Sequence, residues 1–122
     1  MHPNESAEDY LETILMLSKQ LPVVRSVDIC NELNYKKSSV SVAMKHLREK
    51  GHITVSDAGF ITLTQSGKAI ADMIYERHMF FTTWLAELGI PEDIAKEDAC
   101  KLEHDLSRES FEAIKSFVNS HK

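Results

Sequence analysis

The chain has 122 residues, 43% of them apolar and 27% charged, with only four glycines and three prolines. That length excludes a large enzyme, and the scarcity of chain breakers favours helices over a turn-rich β fold. The net charge of −5 divides unevenly: −3 over residues 1–22, +3 over residues 23–68 and −5 over residues 69–122. A basic middle flanked by acidic ends permits a local phosphate-binding surface in an acidic protein. No apolar run approaches the ~18 residues of a membrane span, and Met1, His2 and Pro3 do not begin a basic-then-apolar secretory signal, so the expected location is the cytoplasm. Cys30 and Cys100 make no disulfide framework there.

Ser6 followed by Asp9 looks like a helix start, and Tyr10, Leu11, Ile14, Leu15 and Leu17 continue at helical spacing to about Gln20. Pro22 breaks this first helix. Ser26 is expected to cap a short second helix with Val27, Cys30 and Leu33 inward, where Cys30 is a small core residue. A third helix starts near Lys37, buries Val40, Ala43, Met44 and Leu47, and ends at Gly51. The period then alternates: Ile53 and Val55, a turn at Asp57-Ala58-Gly59, and Phe60 to Leu63 predict one hairpin. Thr64 caps a long fourth helix with Ile70, Met73, Ile74, Phe81, Trp84, Leu85 and Leu88 inward, ended by Gly89 and Pro91. A fifth helix is expected to bury Ile94, Ala95, Ala99, Leu102 and Leu106, and Ser107 caps a sixth containing Phe111, Ile114, Phe117 and Val118.

Helix, short helix, turn, helix and hairpin in that order form a winged helix-turn-helix, whose second motif helix enters the DNA major groove. Lys36, Lys37, Ser38, Ser39 and Ser41 gather at the start of that helix, Lys45 extends its outer face, and Ser26 stands at the start of the helix before it. Ammonium groups, hydroxyls and helix N-terminal amides are the groups that contact phosphates and bases. Each of these residues alone reads as solvated surface; the set on this scaffold points to DNA.

Asp9 and Glu12 share a face of the first helix at i, i+3. Cys100, Glu103 and His104 fall at i, i+3 and i+4, so one turn of the fifth helix carries a thiolate, a carboxylate and an imidazole, a donor set suited to a divalent transition metal. His78 sits between Ile74 and Phe81 on the apolar side of the fourth helix, where a neutral core histidine is the ordinary expectation unless other ligands converge on it.

The runs Glu8-Asp9-Tyr10-Leu11-Glu12-Thr13-Ile14, Ser38-Ser39-Val40-Ser41, Leu63-Thr64 with Gly67-Lys68, Arg77-His78, and Asp98 to His104 followed by Leu106-Ser107 resemble the bacterial metal-dependent repressors of the family that contains the diphtheria toxin repressor and the manganese transport regulator. The resemblance covers nearly the whole chain. It implies a mostly α fold, with a winged helix-turn-helix over residues 1–68 and a helical dimerisation and metal-binding domain over residues 69–122. It also implies a homodimer on pseudo-palindromic operator DNA, with Asp9, Glu12, His78, Cys100, Glu103 and His104 as ligands to Mn(II) or Fe(II), and Co(II) or Zn(II) as substitutes in vitro. Asp9 and Glu12 are similar to the manganese branch and Cys100 to the iron branch. Thr82 and Lys96 stand where the iron branch has the ligands of a second site, so that site is expected to be missing, and a chain ending at Lys122 is expected to be a short, two-part form.

In this reading the metal converts repulsion among Asp9, Glu12 and Glu103 into coordination and favours one orientation of the reading heads; repression of a metal-uptake gene is what the resemblance implies. No membrane and no small organic substrate is implied. Two other classes are open from the residues: a winged-helix regulator that uses no metal, and a small metalloenzyme in which the same donors activate water.

Overall fold

In the computed structural model, which describes residues 5–121, the chain forms six helices and one hairpin in the order α1 (Glu5–Gln20), α2 (Ser26–Leu33), α3 (Lys37–Glu49), β1 (Ile53–Val55), β2 (Ile61–Leu63), α4 (Gln65–Glu87), α5 (Glu92–Asp105) and α6 (Arg108–Ser120). The chain divides into two compact units, the boundary falling within α4 between Asp72 and Met73.

The first unit buries Leu11, Ile14, Leu15, Val24, Ile29, Val40, Met44, Leu47, Ile53 and Ile61. The α3 stripe is the one its spacing predicts. Gly51 takes φ 79° directly after α3, a conformation that costs a side-chain-bearing residue about 1–2 kcal/mol. β1 and β2 pair antiparallel with Ile53 opposite Leu63 and Val55 opposite Ile61. The Ile61 amide also donates to the Val24 carbonyl, at 2.8 Å, which fastens the wing to the segment before α2. Thr64 caps α4 as expected, its Oγ1 accepting from the Gly67 amide and donating to the Gly51 carbonyl.

Several inward assignments are corrected. Ser6 lies inside α1 rather than before it. The cap of α2 is Arg25, not Ser26, with the Arg25 amide donating to the Asp28 carboxylate at 2.9 Å. The inner side of α2 is the i, i+3, i+4, i+7 stripe of Ser26, Ile29, Cys30 and Leu33, so Ile29 is fully buried while Val27 faces solvent. Met73, Leu88, Ile94, Leu102 and Phe117 are exposed as well.

In the second unit Phe81, Ala99 and Phe111 form a core with Phe80, Trp84 and Leu106 packed around it. The Phe81 and Phe111 rings meet edge to face at 5.8 Å, a favoured aromatic geometry. Its consequence for α5 is large: the helix buries its small residues, Ala95 and Ala99, with Ala99 against the aromatic rings, and the next two residues on that buried face are Glu103 and His104. Ser107 caps α6 by accepting from the Ser110 amide, as its spacing predicts.

Candidate metal centre and DNA-reading surface

The burial of Glu103 follows from that packing. Its side chain is fully inaccessible, and its Oε2 lies 2.9 Å from His78 Nδ1 on α4. Cys100 Sγ, one turn earlier on α5 and at the exposed rim, is 3.8 Å from the same nitrogen. His104 Nε2 approaches Glu103 Oε1 at 3.3 Å but off the hydrogen-bonding direction, so Oε1 is a buried oxygen without a hydrogen bond. Arg77, also buried, holds this end of α5: its guanidinium donates to the Glu103 and Leu106 carbonyls at 3.1 and 2.8 Å and lies 5.1 Å from the centroid of the Phe111 ring. In the sequence Arg77 stands out only as the neighbour of His78; an arginine on the apolar side of α4 is the signal that marks it.

A buried carboxylate without compensation is costly. Here the contacts with Cys100 and Glu103 hold His78 far above the usual histidine range, at about 10. Burial pushes the Glu103 carboxyl up, but the two histidines outweigh it and its pKa is lowered. His78 is therefore an imidazolium at neutral pH, not the neutral core histidine ordinarily expected at such a position.

The same groups fit a divalent cation. The donor atoms of His78, Cys100 and Glu103 lie within 4.8 Å of one another, and two ligands bound to one ion at about 2.0–2.3 Å are themselves about 3–4 Å apart. An imidazole, a thiolate and a carboxylate, with an unsatisfied buried oxygen among them, suit Fe(II), Co(II) or Zn(II) as well as a harder ion. Asp9 and Glu12 lie on α1 in the first unit, both half-buried.

The DNA-reading candidates are on the surface of the first unit. Lys36, Lys37, Ser38, Ser39, Ser41 and Lys45 are all exposed, the first two at the start of α3 and Ser38 and Lys45 opposite its buried side. Lys36, the cap residue before α3, makes no side-chain hydrogen bond to the helix, so the first-turn amides are available to an anion. Ser26, half-buried, lines a shallow groove with Ser41, Lys45, Arg48 and Val55. Arg25 joins this surface without having been expected there: its guanidinium sits 4.8 Å from the centroid of the Phe60 ring and couples the start of α2 to the wing. A cap expected at Ser26 leaves Arg25 outside the helix and hides this role. No helix among the described residues is long and apolar enough to cross a membrane.

Residues 3–59 match the iron dependent repressor N-terminal DNA binding domain, and residues 64–122 the iron dependent repressor metal binding and dimerisation domain. An HTH-type transcriptional regulator of Methanocaldococcus jannaschii is 36% identical over 98% of this chain and 97% of its own. The transcriptional regulator MntR of Escherichia coli is 31% identical over 98% of this chain and 77% of its own. Among solved structures, a manganese-dependent transcriptional repressor in complex with manganese superposes with a TM-score of 0.83 at 28% identity, covering 93% of this chain. The manganese regulator SloR gives the same score and identity over 98%. This chain spans about half of those two, 52% and 55% respectively. The chain belongs to the iron-dependent repressor family, metal-dependent DNA-binding transcriptional regulators rather than enzymes, and carries both the DNA-binding and the metal-binding and dimerisation domains of that family.

Proposed function

We propose that this protein is a homodimeric repressor that binds a pseudo-palindromic operator when loaded with Mn(II) or Fe(II), and that it controls a gene for metal-ion uptake. The observation that carries the reading is the convergence of His78, Cys100 and the fully buried Glu103 in the unit that matches the metal-binding domain. A buried carboxylate needs a positive partner. The imidazolium supplies it without metal, and a divalent ion bound by the same groups supplies it after the proton leaves. We assign the ligand set as Asp9, Glu12, His78, Cys100, Glu103 and His104, the first two on their spacing and their match to the family run. The two domains are taken as residues 1–68 and 69–122. When bound, the ion supplies a fixed double charge that neutralises these carboxylates. It shifts DNA affinity only as far as it binds the DNA-competent conformation more tightly than the other.

Self-association is supported by the apolar surface of the second unit, where Met79, Leu88, Ile94, Leu102 and Phe117 are exposed. A two-fold dimer would present two copies of α3 to successive major grooves about 34 Å apart. Lys36, Lys37, Ser38, Ser39, Ser41, Lys45 and Ser26 are the proposed DNA contacts, and the cytoplasm is the proposed compartment. The test is binding to duplexes selected from a random pool, measured across Mn(II), Fe(II), Co(II) and Zn(II) at buffered free concentrations. Affinity should rise with at least one of these ions. Equal affinity with and without every ion would leave a winged-helix regulator that uses no metal.

A further inference from the structure

The outward side of α3 is polar with one exception. Val40, Met44 and Leu47 mark the buried side, and at 3.6 residues per turn Ser38, Val42 and Lys45 point the opposite way. Val42 is 57% exposed there. Its β-branch lowers helix propensity, and its methyl groups pack little within the unit, so local stability gives no reason for a valine at this place. The residues around it, Ser38, Ser41 and Lys45, are all exposed and carry the hydroxyl and ammonium groups that set a helix against phosphates and base edges.

In the major groove the C5-methyl of thymine is the apolar feature of the base edges, and apolar side chains recognise it by contact. A valine can neither donate nor accept a hydrogen bond. A cytosine or adenine amino group facing it would lose water without a replacement partner, which adds discrimination against those bases. We propose that Val42 reads the C5-methyl of a thymine at one position in each operator half-site. The proposal rests on α3 being the DNA-reading helix.

Duplexes selected from a random pool by the full chain, run in parallel with buffered Mn(II), Fe(II), Co(II) and Zn(II), are remade with single thymine-to-deoxyuridine replacements, which delete one methyl and leave base pairing intact. One position per half-site should lose about fourfold in affinity, the worth of one buried methyl-sized group. Val42→Ala, which withdraws both valine methyl groups from the groove, should narrow the difference between the thymine and uracil duplexes at that position, with an unchanged salt slope because valine neutralises no phosphate. Val27→Ala, equally exposed at 57% but on α2, should keep the parent's response. A chain that selects a sequence but ignores every methyl, or a Val42→Ala variant that keeps the parent's methyl dependence, overturns the proposal alone. A chain that selects no sequence overturns the assignment of α3 and the proposal with it.

Discussion

Replacing Glu103 with glutamine keeps the shape of the side chain and removes its charge, and the structure gives the effect a characteristic pH dependence. His78 is held at about 10 against an ordinary 6.5, which at about 1.4 kcal/mol per pH unit corresponds to a ceiling of about 5 kcal/mol. Cys100 contributes to that elevation first and Glu103 second, and the burial of Glu103 opposes part of the gain. The carboxylate's net share is therefore about 2–3 kcal/mol. Because the His78 pKa is raised in the folded protein, its contribution is complete below 6.5 and is lost as pH rises through about 10. Glu103 is lowered from 4.5, so its contribution is present above that value and is lost as pH falls through the depressed one. Urea denaturation of the metal-free protein, at one fixed protein concentration, should show Glu103→Gln destabilised by about 2–3 kcal/mol near pH 6 and by less than about 1 kcal/mol near pH 9. Added Mn(II) or Co(II) should stabilise the parent by mass action and leave the variant almost unchanged. Equal destabilisation at both pH values, or none at either, would refute the buried ion pair.

Metal binding near neutral pH should release a proton from His78, because only neutral imidazole coordinates, and calorimetry in buffers of different ionisation enthalpy should detect it; affinity should keep rising with pH beyond 6.5, the ordinary histidine value. Lys36→Ala with Lys37→Ala should weaken operator binding and lower the salt slope by about one for each phosphate that these lysines neutralise, without changing the melting temperature, since both side chains are exposed. Unchanged affinity and slope would remove these lysines from the interface. Cys100→Glu should raise manganese affinity or stoichiometry and lower the preference for Zn(II) or Co(II), as titration calorimetry and bound-metal analysis can show. Two tight manganese ions on the parent chain, with no change on substitution, would count against the argument from donor type. Gly67→Ala should cost more than about 2 kcal/mol, because an added Cβ would overlap the His52 carbonyl oxygen where α4 crosses the wing root. A melting temperature equal to the parent's would mean that this approach relaxes freely.

Features governed by neighbours along the chain are readable from the residues alone. The stripe of α3, the stops at Gly51 and Gly59, and the caps at Thr64 and Ser107 all depend on groups within a few residues of each other. The exposed positions of Ser38, Ser41 and Lys45 follow from the same periodicity, whereas Lys36 and Lys37 are exposed because they stand at the helix start, before the stripe begins to pack. The spacing of Cys100, Glu103 and His104 was legible as a donor set for the same reason.

Tertiary structure decided which side of a helix packs inward when its sequence offers two. On α5, Ile94 and Leu102 were the obvious inward residues, yet they are exposed while Ala95, Ala99, Glu103 and His104 are buried. Small residues let the helix approach Phe81 and Phe111, and the buried carboxylate is tolerated because His78, 25 residues away in sequence, brings a positive charge to it. The same long-range contact makes His78 an imidazolium. A periodicity argument has no access to a partner that distant, so the metal-site residues could be named from the chain while their burial and protonation could be read only from the folded unit.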